Sequence, residues 1–334
     1  MSWRTMDRPS LGSAPPVNEA KEIPVRRRPG STGAALQHNR NPAWIAVVVA
    51  LLTTGALTMP ARAAGEAHQG SIQISYEVPK DPALKNAYDI ARGANALEML
   101  RLILLPFKLP EDLYIKAVSC NGIPNAYFFR EDDKPTIRIC YEYLRSVRET
   151  IPKEPTPEGI TPREAFVGQL LFTIAHEFGH AAFDIYNLPV LGRQEDAADQ
   201  FAAWLLLQFG GERAHRVIRG AAWAYNQYFK NLKDNPKVTV PLAALSSDHG
   251  TPAQRFYNLA CISYGYDAKV FAVVVERGYL PAARAKVCEY EYSNLSYAIK
   301  TLIGPHMDKE LADKVMAISW FSPPDARALD DWAP

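Results

Sequence analysis

Residues 161–180 read TPREAFVGQLLFTIAHEFGH, and the rest of the chain has to be arranged around this run. Thr161 has the chemistry of an N-cap, Pro162 suits the first helical position, and Glu164 completes a capping box three residues on. From residue 166 to 178 apolar side chains cover nearly every side, Val167, Leu170, Leu171 and Ile174 among them, so the pattern predicts a helix buried in the middle of the protein. Two histidines and a glutamate sit in that apolar run as His176-Glu177-Phe178-Gly179-His180. Burying all three is costly unless something pairs them. Residues four apart share one helix face, so both imidazoles can reach a single metal ion. Glu177 stands about 100° round the axis, free to act on a water as general base.

A catalytic zinc takes three protein ligands and keeps one position open. Beyond His180 the next candidate lies past a Pro- and Gly-containing turn at residues 187–192, in Glu195-Asp196-Ala197-Ala198-Asp199. An antiparallel return helix would bring Glu195 to the ion, with Asp196 and Asp199 as rivals. Asp199, four residues after Glu195 on the same face, could instead take the free N–H of a ligating histidine. The small residues Ala197, Ala198, Ala202 and Ala203 would let the two helices approach closely.

Ahead of this helix the chain changes character. Residues 72–78 alternate apolar and polar as a half-buried strand does, and residues 84–104 carry Ile90, Leu97, Leu100 and Leu104 at helical spacing. Short strands are expected near 113–118, 126–129 and 136–140, parted by Asn121-Gly122 and by a polar turn over 130–135. A Pro-rich linker at 151–157 follows, and nearly everything after it has helical periodicity. The fold class is therefore α+β: a small mixed sheet with helices over 64–150, then a mainly helical lobe over 151–334, the two making one catalytic unit. Tyr127 and Tyr141 suit core or edge-strand positions.

The 334 residues carry 37 Lys+Arg against 36 Asp+Glu, a net charge of +1, which gives no electrostatic reason to expect nucleic acid as a partner. Near the N-terminus Arg26, Arg27 and Arg28 precede an apolar run over 43–57 and then Ala61 and Ala63, the small residues of a cleavage site. Residues 1–63 thus read as a signal peptide and leader, with export to a periplasmic or extracellular compartment. Membrane association is expected only if that segment stays uncleaved. Four cysteines without a CxxC pair allow three connectivities; local pairs, Cys120 with Cys140 and Cys261 with Cys288, close loops within each part of the chain.

The HExxH string with Glu195 and Asp199 resembles the gluzincins, the thermolysin-like zinc peptidases with HExxH followed by ExxxD on a second helix. Asn125-Ala126-Tyr127-Phe128 is similar to the edge strand that binds substrate backbone in those enzymes. Phe183 and Tyr186 stand where a metzincin would have glycine and histidine. The run from Leu191 to Gln200 and the segment Gln254-Arg255-Phe256-Tyr257-Asn258 are similar to exported bacterial metallopeptidase-like proteins of unknown function. Asp248-His249-Gly250-Thr251-Pro252 is similar to a segment of the CAAX-prenyl-protease type enzymes. These resemblances imply a zincin-like helical lobe. They also imply a Zn2+ cofactor held by His176, His180 and Glu195, Glu177 as catalytic base and His249 as a catalytic donor, with Asn125, Ala126, Tyr127 and Arg255 at a polypeptide substrate. Two rival readings share the pattern: a zinc-containing periplasmic binding or chaperone-like protein without catalysis, and an amidase acting on cell-wall peptides.

Overall fold

The computed structural model describes residues 69–227, 240 and 242–318; the expected signal segment at 1–63 lies outside them. Its elements in chain order are β1 (Ile72–Tyr76), α1 (Lys85–Gly93), α2 (Ala96–Leu102), β2 (Leu113–Val118), β3 (Ala126–Glu131), β4 (Lys134–Cys140) and α3 (Tyr141–Thr150). Then come α4 (Pro162–Ile185), α5 (Gln194–Leu207), α6 (Gly211–Ala221), α7 (Pro252–Tyr266), α8 (Cys288–Leu302) and α9 (Lys309–Met316), with one-turn pieces between α6 and α8. This is the α+β arrangement that the sequence predicts.

The four strands form one sheet in the order β1-β2-β4-β3. β1, β2 and β4 run parallel, with Ile74 beside Ile115 and Ile115 beside Ile137, whereas β3 returns antiparallel to β4. Parallel neighbours require crossovers, and α1 and α2 supply the one between β1 and β2. The β3–β4 hairpin turns on Asp132 and Asp133, both with positive φ, 48° and 63°, the backbone of a two-residue turn whose twist matches the strands. The polar turn is therefore shorter than the sequence predicts, and both strands extend into it. The single helix expected over 84–104 is also broken. Asn95 enters the left-handed region at φ 50°, ending α1 and letting α2 restart at a new angle. Asn tolerates that conformation better than most side chains, which is why the apolar spacing alone did not reveal the break.

α4 starts as the sequence dictates: the Thr161 hydroxyl accepts from Glu164 N–H at 3.1 Å, and the Glu164 carboxylate accepts from Thr161 N–H at 3.0 Å. Glu164 also takes Arg216 and Arg219 of α6, so its burial is matched by two guanidiniums. Close helix crossings depend on missing side chains. A Cβ on Gly220 would lie 1.9 Å from the Glu164 carbonyl oxygen, and one on Gly179 only 3.2 Å from Ala198 Cα, so α6 and α5 press against α4 at backbone distance. Phe107, Phe178 and Phe201 then fill the gap beside the α4–α5 contact, with ring centroids 4.5 to 6.0 Å apart. One hydrophobic cluster runs from Ile72 in β1 through α4 to Met316 in α9. Disulfides join Cys120 to Cys140 and Cys261 to Cys288, the local pairing expected from the sequence. No described helix is long and apolar enough to cross a membrane.

Candidate metal centre

The middle of α4 presents His176 and His180 on one face, 5% and 8% exposed, toward the first turn of α5. Their Nε2 atoms are 3.2 Å apart. Glu195 Oε2 lies 3.1 Å from His176 Nε2 and 3.4 Å from His180 Nε2. Each imidazole is fixed from behind, His176 Nδ1 against Asp199 Oδ1 at 2.8 Å and His180 Nδ1 against Gln194 Oε1 at 2.9 Å. Both acceptors demand a proton on Nδ1, which leaves both Nε2 lone pairs and a carboxylate oxygen aimed at one another. Such a set repels itself unless a proton or a metal cation sits among it. The spacing fits as well, since two ligands of a tetrahedral zinc about 2.05 Å from the ion would be about 3.3 Å apart.

The rival carboxylates are engaged elsewhere. Asp196 pairs with Arg193 at 2.6 Å, and Asp199 is held at both oxygens by Arg255 of α7, at 2.6 and 2.7 Å. Arg255 in turn lies over the Tyr225 ring, 4.8 Å from its centroid. A chain of contacts thus runs from Tyr225 through Arg255 and Asp199 to His176, fixing the ring that faces the centre. Arg255 lines the same cleft, but its guanidinium is committed to Asp199.

His249 enters from the segment ahead of α7, whose start is set by a capping box between Thr251 and Gln254. Its Nε2 is 2.8 Å from Glu195 Oε2, and its Nδ1 is 3.0 Å from Asp248 Oδ1. Unlike the other two histidines its side chain is 44% exposed. His176, Glu195 and His249 together form a group able to hold a metal ion. A second such group, Cys120, Cys140 and Glu142, is already spent: the cysteines are bonded to each other, and Glu142 accepts the backbone N–H groups of Cys120 and Gly122.

Glu177 is 7% exposed and turns to the other side, toward β3. The backbone N–H of Phe128 faces its carboxylate and favours the charged form weakly. β3 is a sheet edge, and Cys140 N–H donates to the Asn125 carbonyl, so the pairing register turns the backbone of Ala126 and Phe128 away from β4. Glu177 takes one of those outward groups and the others face the cleft. Asn125, Ala126, Tyr127 and Phe128 line a cavity of about 380 Å3 together with His176, Glu177, His180, Glu195, His249 and Arg255. The expected ligands, base and substrate-binding residues thus meet here, with Asp199 behind His176. Tyr141 does not: it is fully buried at the start of α3, edge-on to Tyr88.

Electrostatics separate these groups. Burial disfavours the His176 imidazolium, but hydrogen bonds to Asp199 and Glu195 outweigh it and raise its pKa to about 9. Burial pushes Glu195 up, and the two histidines overcome that and hold it well below the carboxylate range. For Glu177 burial wins over both nearby imidazoles, and its carboxyl is raised. A raised carboxyl beside a cluster of cation-seeking donors is the pattern of a proton-transfer site.

Gln194 and Tyr225 belong to this constellation and were not foreseen, and Phe128, expected only as part of the edge strand, also faces Glu177. Only Gln194 had a local signal, its place beside Glu195.

A buried pair of imidazoles with a converging carboxylate stands beside a buried glutamate and an open strand edge, a group able to hold a metal ion at the wall of a cleft. Residues 76–303, well over half of the chain, match the family described as "Putative metallopeptidase", and the chain belongs to that family. No curated protein and no solved structure matches it.

Proposed function

We propose that this chain is a zinc-dependent, gluzincin-like metallopeptidase that cleaves polypeptides in an oxidising compartment outside the cytoplasm. The observation that carries the reading is the convergence of His176 Nε2, His180 Nε2 and Glu195 Oε2 with Glu177 alongside and unpaired by any described cation of the fold. His176, His180 and Glu195 would hold the ion, and Asp199 and Gln194 would keep the two rings in the ligating tautomer. When bound, zinc lowers the pKa of a water toward about 7 and polarises a carbonyl. Glu177 takes the proton of the attacking water and returns it to the departing amine; its raised pKa suits both transfers. The Phe128 N–H holds the carboxylate in place, and the outward backbone of Ala126 is free to pair with an extended peptide. His249, oriented by Asp248, donates to the oxygen on which charge develops. The two disulfides support the exported location.

The test is peptide cleavage by chain stripped with a chelator and then reloaded. Activity should vanish and return with about one equivalent of zinc; activity indifferent to both treatments would contradict the proposal. A second reading rests on the 2.8 Å between His249 Nε2 and Glu195. If His249 is a fourth ligand, the site is closed and serves structure rather than catalysis. His249→Ala separates the two. A donor role predicts zinc retained and kcat down about a hundredfold, whereas a ligand role predicts loss of zinc itself.

A further inference from the structure

The cleft beside the histidines has a floor that peptide hydrolysis does not require. Thr173 and Gln169 stand one and two turns before His176 on α4, and Tyr143, Phe172 and Tyr225 close the same cavity. Gln169 is 8% exposed and its Nε2 donates to the Ala165 carbonyl at 2.9 Å. That fixes the amide with its Oε1 accepting nothing among the described residues. The Tyr143 and Thr173 hydroxyls share one hydrogen bond of 2.6 Å, so one of their two protons is still to be given. Tyr225 contacts the Phe172 ring and the Arg255 guanidinium, and its hydroxyl has no hydrogen-bond partner among the described residues. Burial pushes both phenols up, Tyr143 to about 12, so both remain neutral donors.

The charged groups around this floor are already matched. Arg255 is bound to Asp199, and Glu195 faces the histidines. Glu177 stands at the reacting end of the cleft. An apolar side chain seated here would strand an acceptor and two donors away from water, an acidic one would face Glu177, and a basic one would pair with Glu177 and quench the base that the peptidase reading needs.

Resting on the peptidase reading, we propose that this cavity receives a substrate side chain ending in a neutral carboxamide, glutamine or asparagine, next to the scissile bond. Gln169 Oε1 accepts its N–H, and the Tyr225 hydroxyl or the Tyr143–Thr173 pair donates to its carbonyl. A carboxamide offers two donors and an acceptor without charge, whereas a hydroxyl offers only one donor.

Two short peptide hydroxamates, alike except for a glutamine or a leucine side chain beside the chelating group, test this by calorimetric titration into the zinc-loaded full chain. Wild type should bind the glutamine probe at least about tenfold more tightly. Gln169→Leu should abolish or reverse that ratio. Tyr225→Phe, which removes one of the donors, should lower that ratio several-fold, weakening the glutamine probe and relieving part of the penalty on the leucine probe. Equal binding of both probes to wild type, or tighter binding of leucine, overturns the carboxamide pocket and leaves the peptidase reading intact. Failure of the zinc-loaded chain to bind either probe overturns both.

Discussion

α4 buries one glutamate in its first turn and another beside His176, and the protein treats the two in opposite ways. Glu164, 1% exposed, closes the capping box and receives Arg216 and Arg219, so its carboxyl is held below the usual range despite burial. Glu177, 7% exposed, has one backbone N–H from Phe128 and no guanidinium or ammonium among its described partners, and burial raises it. The first charge is cancelled because the helix must stay folded there. The second is left uncompensated, at a cost in stability, because a base that is already paired does no chemistry.

The comparison can be broken by substituting each glutamate. Glu164→Ala removes the cap and leaves two guanidiniums without their shared partner, and should cost about 3 kcal/mol in denaturant unfolding. Glu177→Gln, which deletes a poorly compensated charge, should leave the metal-free chain equally stable or raise it by about 1 kcal/mol. Parallel losses at both positions would show that Glu177 is structural too.

A smaller effect is expected from Asp199→Asn. It keeps the shape but weakens the hold on His176 Nδ1 and on Arg255, and zinc affinity should fall about 10- to 100-fold by competition with a chromogenic chelator. No change would mean that the ring is fixed by packing alone.

pH sharpens the contrast further. Because the folded-state pKa of Glu164 is depressed, its contribution is fully present above the unfolded carboxyl value of about 4.3 and is lost as pH falls through the folded value. The stability of Glu164→Gln should therefore vary less than that of wild type below about pH 4.3. His176 runs the other way. With its pKa at about 9 in the metal-free chain, a proton must leave before zinc can bind, so affinity should rise about tenfold per pH unit up to that point. A flat profile between pH 6 and 8 would contradict that pKa.

The α+β class was legible in the sequence, and so was the run of residues that gathers round His176, but the order of the strands was not. The capping box, the HExxH string and the return helix are local patterns, each written within one or two turns, so α4, α5 and the placement of Glu195 and Asp199 beside His176 could be anticipated. The sheet order could not, because pairing β1 with β2 and β2 with β4 depends on contacts between strands distant in sequence. The break at Asn95 was hidden because α1 and α2 keep compatible apolar spacing across it. The Phe128 N–H on Glu177 and the Arg255–Asp199 pair were equally invisible, since each joins elements that nothing local brings together.

The most direct measurement compares wild type with Glu177→Gln for bound zinc and for peptide cleavage in the same preparations. Both proteins should carry one equivalent of zinc, and the variant should cleave at least about a hundredfold more slowly. A variant that cleaves as fast as wild type would contradict the account at its centre.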